Sequence, residues 1–131
     1  MKNSHYYKFE DLLIYIKAIE FWGSINKQID NFPVDERFRL SSQCIGAADS
    51  IALNIAKGSG SSDTQFNRYL QIAWDSTHEC VVCSTKAGLR EFISEEQNEK
   101  NRGDIAEIAK MITSFKNHLK KRMNNKKNIK H

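Results

Sequence analysis

Residues 50–65 read Ser50-Ile-Ala-Leu-Asn54-Ile-Ala-Lys-Gly58-Ser-Gly-Ser-Ser62-Asp-Thr-Gln65, and this stretch decides the fold. Its first half places Ile51, Ala52 and Ile55 at the three- and four-residue steps of a helix face. Gly58 is positioned to take the left-handed C′ conformation that ends a helix. Ser62-Asp-Thr-Gln65 has the spacing of a capping box, in which a hydroxyl and an amide reciprocally satisfy backbone N–H groups. One helix stops and the next starts across a short connector, so the two are expected to be antiparallel neighbours.

The same punctuation continues in both directions. Upstream, Asp35 and Glu36 suit the positive end of a helix that begins near Val34–Glu36. Pro33 stops an earlier helix running from about Phe9 to Asn31, because residues before proline are pushed out of the α region. Leu12, Tyr15/Ile16, Ala18/Ile19, Trp22, Ile25 and Ile29 form its stripe, with Ile14 and Phe21 outside it. Downstream, Phe66, Tyr69/Leu70, Ala73, Thr77, Cys80, Ser84 and Ala87 mark a third helix closing near Gly88. A second capping box, Ser94-Glu-Glu-Gln97, opens a fourth, and Ile105, Ile108, Ile112, Phe115 and Leu119 mark its buried face. Gly103 weakens its first turns by ~1 kcal/mol relative to alanine. Beyond Lys121 the apolar spacing stops. The expected fold is all-α, an antiparallel up-down-up-down four-helix bundle over 1–121, followed by a basic, disordered tail over 122–131.

Composition supports one domain. The chain has 131 residues, 40% apolar and 27% charged, the balance of a soluble globular protein. One proline and six glycines are too few for a β-sandwich with turns every 8–12 positions. No apolar run approaches the ~18 residues of a membrane span, so no membrane is expected as a partner. The amino terminus shows no secretory signal, and three cysteines make no disulfide framework; a reduced cytoplasm is the expected home. Charge is uneven. All 16 carboxylates lie at or before Glu107, giving that part a net −4, whereas residues 108–131 carry eight Lys/Arg and no acid.

The second helix carries two apolar rows, Phe38/Ile45/Ala48/Ala52/Ile55 and Leu40/Cys44/Ala47/Ile51. A single bundle core needs one face, so the second row, Leu40, Cys44, Ala47 and Ile51, is expected to meet another subunit.

Several motifs invite a chemical reading and lack what the chemistry requires. His78-x-Cys80-x-x-Cys83 supplies three ligand types on one helix, with no second CxxC or HxxxH to complete a zinc shell. A redox CxxC sits at a helix N-terminus, and these thiols fall several turns inside one. Asp75, Ser76, His78 and Glu79 hold the ingredients of nucleophilic catalysis without a nucleophile elbow or an oxyanion hole. Gly58-Ser-Gly-Ser-Ser62 leads into a helix as a phosphate cradle does, but lacks the Walker lysine and follows a helix rather than a strand. No catalytic, metal-binding or cofactor residues are assigned, and no cofactor is expected. Lys116, Lys120, Lys121, Arg122, Lys126, Lys127 and Lys130 are cations without neighbouring carboxylates, able to contact phosphates of RNA or DNA irrespective of sequence.

The segments together resemble a known family. Phe9-Glu-Asp-Leu-Leu-Ile-Tyr-Ile-Lys-Ala18, then Phe32-Pro33, Glu36, Leu40, Gln43 and Ala47-Ala-Asp-Ser50-Ile, are similar to the bacterial four-helix-bundle proteins encoded by intervening sequences of 23S rRNA genes. Ser50-Ile-Ala-Leu-Asn54-Ile-Ala-Lys-Gly58 resembles the family's S-I-x-x-N-I-A-E-G. Phe66, Tyr69-Leu-Gln-Ile-Ala73, Ser76 and Glu79 follow at the spacing of its third-helix signature. The resemblance implies a four-helix bundle assembled as a homopentamer, without enzymatic activity. Accessory proteins of diversity-generating retroelements are similar and bind nucleic acid through a basic surface. Here Cys44-Ile45-Gly46 stands where the family often has arginines, which moves any basic surface toward the fourth helix and its tail. The expectation is a non-enzymatic homo-oligomer that binds nucleic acid electrostatically. The alternative is a structural or protein-interaction module with no nucleic-acid ligand.

Overall fold

The computed structural model describes residues 5–129. Four helices follow in order: α1, Leu13–Ile29; α2, Leu40–Ser59; α3, Asp63–Leu89; and α4, Glu95–Ile129. Two 3₁₀ turns, Lys8–Asp11 and Val34–Glu36, precede α1 and α2, so both helices begin later than the sequence spacing predicts. No strand occurs among the described residues. α2 packs on both α1 and α3, α3 packs on α2 and α4, and α1 and α4 meet least. Cross-helix bonds fix the directions. On α3 and α4, Asp63 meets Arg122, Gln71 meets Lys116, and Ser84 meets Asn98, the ladder of an antiparallel pair. Gln28 near the end of α1 meets Asn101 near the start of α4.

Both apolar rows of α2 face inward. Leu40, Cys44, Ala47 and Ile51 are buried within the subunit, as are Ala48, Ala52 and Ile55. The expectation that one row meets another subunit is therefore corrected. α2 lies between α1 and α3, and two flanking helices bury two faces. Phe38 does not belong to its row: it precedes α2 and is 87% exposed. On α1 the expected stripe holds at Ala18 and Ile25, with Leu12, Tyr15, Trp22 and Ile29 packed against the core, and fails at Ile16 and Ile19. Ile14, Ala18, Phe21 and Ile25 are the core positions, and Ile16 and Ile19 are exposed.

Gly58 is also reassigned. It lies inside α2 with no positive φ, and Gly60 is the C-cap. A Cβ at Gly58 would sit 2.6 Å from Cδ1 of Phe66 and 2.8 Å from Cβ of Tyr69. Glycine is needed there so that α3 can approach, not to turn the chain. The left-handed residue occurs at the other turn. Glu91, with φ 60°, follows α3, and the N–H of Phe92 donates to the carbonyl of Ala87 at 2.9 Å. This is a Schellman motif with glutamate where glycine is usual.

Both capping serines act as the spacing predicts, Ser62 accepting from the N–H of Gln65 at 3.3 Å and Ser94 from that of Gln97 at 3.0 Å. α4 does not fray at Lys121. It continues through Arg122 to Ile129, where the loss of apolar spacing predicts disorder. Lysine, arginine and methionine are good helix formers, and cations suit a helix C-terminus. Leu119 is fully buried, and Met123 packs against the core beside the hydroxyl of Thr64.

Candidate functional site

The cations proposed from sequence divide between two flanks of α4. Lys116, Lys120 and Lys127, at i, i+4 and i+11, share one flank. Arg122 and Lys126 share the flank that faces α3. The Arg122 guanidinium grips Asp63 with two bonds of 2.8 and 2.7 Å, and the Lys126 ammonium stands 3.7 Å from the same carboxylate. The Arg122 bond, with its positive charge, holds the Asp63 carboxyl below its ordinary range, and the Asp63 bond raises Arg122 in turn. Lys116 donates to Oε1 of Gln71 at 2.6 Å. Burial, then the neighbouring Lys120 charge, lowers its pKa. Lys120, Lys121 and Lys127 are exposed and make no ion pair among the described residues. Lys130 lies outside the described residues. Of the six proposed cations that are described, the structure leaves three available to a phosphate and engages the other three.

With Leu40, Cys44, Ala47 and Ile51 in the core, the exposed apolar surface lies elsewhere. Ile16 and Ile19, three residues apart, lie on the side of α1 turned away from Ile14, Ala18, Phe21 and Ile25. Leu12, just before the helix, is half-buried and packs against the core, whereas the two isoleucines are exposed. This outward pair is the apolar face that the subunit leaves uncovered on α1.

The chemical motifs resolve into structure. Cys80 and Cys83 turn inward and are joined by Cys44 of α2, a convergence that the spacing of the third helix alone does not reveal. The hydrogen bond that Cys44 donates to Cys83, then burial, pushes the Cys44 thiol up, the same bond lowers Cys83, and burial above all raises Cys80 to about 12. Cys44 and Cys80, held protonated, act as small apolar groups. No group of three or more His, Cys, Asp or Glu among the described residues could hold a metal ion. His78 points outward, its ring 4.2 Å from that of Trp74. Asp75 accepts from Gln71 at 3.1 Å, and Ser76 bonds to the hydroxyl of Ser50 on α2 at 2.8 Å and to the carbonyl of Ile72. Asn54 donates to the carbonyl and hydroxyl of the same Ser50. Ser50, Asn54 and Ser76 therefore form a polar tie between α2 and α3. Where α2 ends, Ser59 of its last turn and Ser61 of the connector donate to the last carbonyls of α2, and the Ser61 N–H does so too. These groups close a helix end and are not free to cradle phosphate.

Two polar clusters escape sequence reasoning. Asn101, 1% exposed, accepts from Gln28 and Gln97 and donates to Gln28 at 2.8 Å and Ser84 at 3.0 Å. Ser84 in turn donates to Asn98 at 2.7 Å. Glu36 is buried, yet it accepts from the N–H of Leu40 at 3.3 Å and from Arg90 at 3.2 Å. Asparagine inside an amphipathic pattern reads as surface, because the partners that would bury it lie on other helices. Glu36 shows only its first-turn signal.

No helix among the described residues is long and apolar enough to cross a membrane. No curated protein matches the sequence. Among solved structures, a protein of unknown function from the S23 ribosomal protein family of Bacteroides thetaiotaomicron VPI-5482 shares the fold, with a TM-score of 0.72 and 27% identity. The match covers 79% of this chain and 97% of that one. The profile of the 23S rRNA-intervening sequence proteins matches residues 10–114, from the 3₁₀ turn before α1 to the middle of α4. The chain therefore belongs to the 23S rRNA-intervening sequence protein family, whose function is not known.

Proposed function

We propose that this protein acts without catalysis, as a homo-oligomer that holds RNA or DNA by its phosphates along the C-terminal half of α4. The carrying observation is that α4 bears no carboxylate after Glu107 and stays helical to Ile129, presenting Lys120, Lys121 and Lys127 as a fixed cationic surface. Contacts of this kind do not depend on base sequence and weaken steeply with salt. Self-association would use the outward α1 face of Ile16 and Ile19 rather than the buried row on α2. The number five rests on the family resemblance alone. A ring would multiply a weak site, because one nucleic acid could reach several copies.

The test titrates single-stranded RNA and duplex DNA into the full chain and into a Lys120→Gln/Lys121→Gln/Lys127→Gln variant at several salt concentrations. Each phosphate that the variant no longer neutralises should flatten the log–log salt slope by about 0.7 on single strands, so the slope should fall by about 2 units in all. An unchanged slope would remove α4 from the interface. Light scattering on the full chain checks the assembly: a mass of 15.1 kDa at micromolar concentration would rule it out. The engagement of Arg122 and Lys126 with Asp63 favours the second reading, a protein-interaction module with no nucleic-acid ligand. That reading predicts assembly with no salt-dependent RNA binding.

A further inference from the structure

The end of the bundle opposite the Asp63–Arg122 contact holds a second cationic feature, and it is concave. Between the start of α2 and the end of α3 lies a cavity of about 420 Å³, a volume in the range of small-ligand sites. Arg39, Lys86 and Arg90 line it, with Glu36 as the one carboxylate. Glu36 is already committed. It is 4% exposed, caps the N–H of Leu40 and holds the Arg90 guanidinium at 3.2 Å. Arg90 also lies over the ring of Phe92, 5.0 Å from its centroid, so two contacts fix its position. Arg39 and Lys86 have no acidic partner among the described residues. The lining therefore carries a net excess of two positive charges. The positive end of the α2 dipole lies at the same place, since Arg39 is its N-cap. Leu40 and Leu89 supply apolar lining, and Leu89 is 80% exposed at the end of α3. Gln43 adds an uncharged hydrogen-bonding group.

We propose that this cavity binds a small phosphate monoester, its phosphoryl group held by Arg39, Lys86 and the pre-positioned Arg90, its organic part resting against Leu40 and Leu89. A monoester carries about −1.5 to −2 charge at pH 7, which matches the excess on the lining. Fork-shaped guanidinium donors suit its oxygens, and a buried carboxylate that orients one of them lowers the ordering cost of binding. The cations sit around a hollow at one end of the bundle, a shape for a compact ligand rather than for an extended strand. This site stands apart from the α4 surface and does not depend on it.

Calorimetric titration of the full chain with adenosine monophosphate, inorganic phosphate and adenosine tests the assignment. The two phosphates should bind saturably and adenosine should not, and adenosine monophosphate should bind more tightly than inorganic phosphate. An Arg39→Ala/Lys86→Ala variant, altered at two exposed side chains, should weaken binding by more than about tenfold, since two charge-assisted contacts to the phosphoryl group are lost. Its far-UV circular dichroism should match that of the parent. The Lys120→Gln/Lys121→Gln/Lys127→Gln variant should bind adenosine monophosphate as the parent does. Three results would each overturn the proposal: no saturable heat with either phosphate at millimolar concentration, equal binding by the Arg39→Ala/Lys86→Ala variant, or absence of binding in the α4 variant instead.

Discussion

The two ends of the bundle are closed by different means. At one end α2 passes into α3 through three residues, Gly60–Ser62, and the close approach at Gly58 lets the helices touch. α4 finishes beside them, joined through a pair between Arg122 and Asp63 whose guanidinium side is half exposed. At the other end the connectors are longer, ten residues before α2 and five before α4, and the helix ends stand further from a covalent turn. Polar groups do the joining there: Asn101 with Gln28, Ser84 and Gln97, and Glu36 with Arg90. A short turn brings helices together through chain connectivity alone, whereas long connectors leave the geometry to side chains, which must then be satisfied completely.

That contrast can be broken most sharply at Asn101. Asn101→Ala removes four hydrogen bonds at a site 1% exposed and leaves the Gln28 amide oxygen without its partner, while Ser84 keeps its bond to Asn98. Stability should fall by about 3 kcal/mol in urea unfolding, given ~1–3 kcal/mol for each buried polar group left unpaired. A decrease under ~1 kcal/mol would mean that water replaces the network and the ends are alike.

Gly58→Ala probes the opposite end. Its methyl would press on the Phe66 ring and the Tyr69 Cβ, the latter fixed to α3 backbone, and should cost about 2 kcal/mol, as overpacked cores do. A smaller cost, or a stabilisation from higher helix propensity, would show that α3 can shift away.

The Asp63–Arg122 pair should matter least. Arg122→Ala should change stability by under ~1 kcal/mol, the range of exposed ion pairs, and less in high salt. The sign with pH follows from the lowered Asp63 carboxyl. Its folded pKa lies below the ordinary 3.8, so the pair contributes fully above 3.8 and is lost as pH falls through the lower folded value. Parent and Arg122→Ala should therefore converge in stability below that pH. A gap that persists in acid would assign the effect to packing of the arginine stem.

The helices, their order and both serine caps are legible in the sequence because each depends on spacing within one segment. Three features are not. The spacing misplaces part of the α1 face because Ile14/Phe21 and Ile16/Ile19 both repeat at helical steps, and only the placement of α2 and α4 selects between them. Both α2 rows prove internal because a helix between two neighbours buries a broad arc. The end of α4 misleads because apolar periodicity reports burial, while the helix beyond Leu119 is upheld by propensity and one carboxylate supplied by α3. Of the candidate sites, the lysines of α4 can be found as a charge run. Their division by Asp63, and the gathering of Arg39, Lys86 and Arg90, arise only when distant segments meet.

The stretch of α4 beyond Leu119 has a kinetic consequence. Past that residue the side chains that tie the helix to α3 are Met123, Arg122 and Lys126, and the last two share one acceptor. Amide protons on this stretch should exchange with deuterium through local openings that leave the rest of the bundle intact. Those around Ile105, Ile108 and Ile112 should wait for global unfolding. A nucleic acid bound along Lys120–Lys127 would then reveal itself by slowing exchange in this stretch relative to the bundle core, a readout that needs no knowledge of the ligand's sequence.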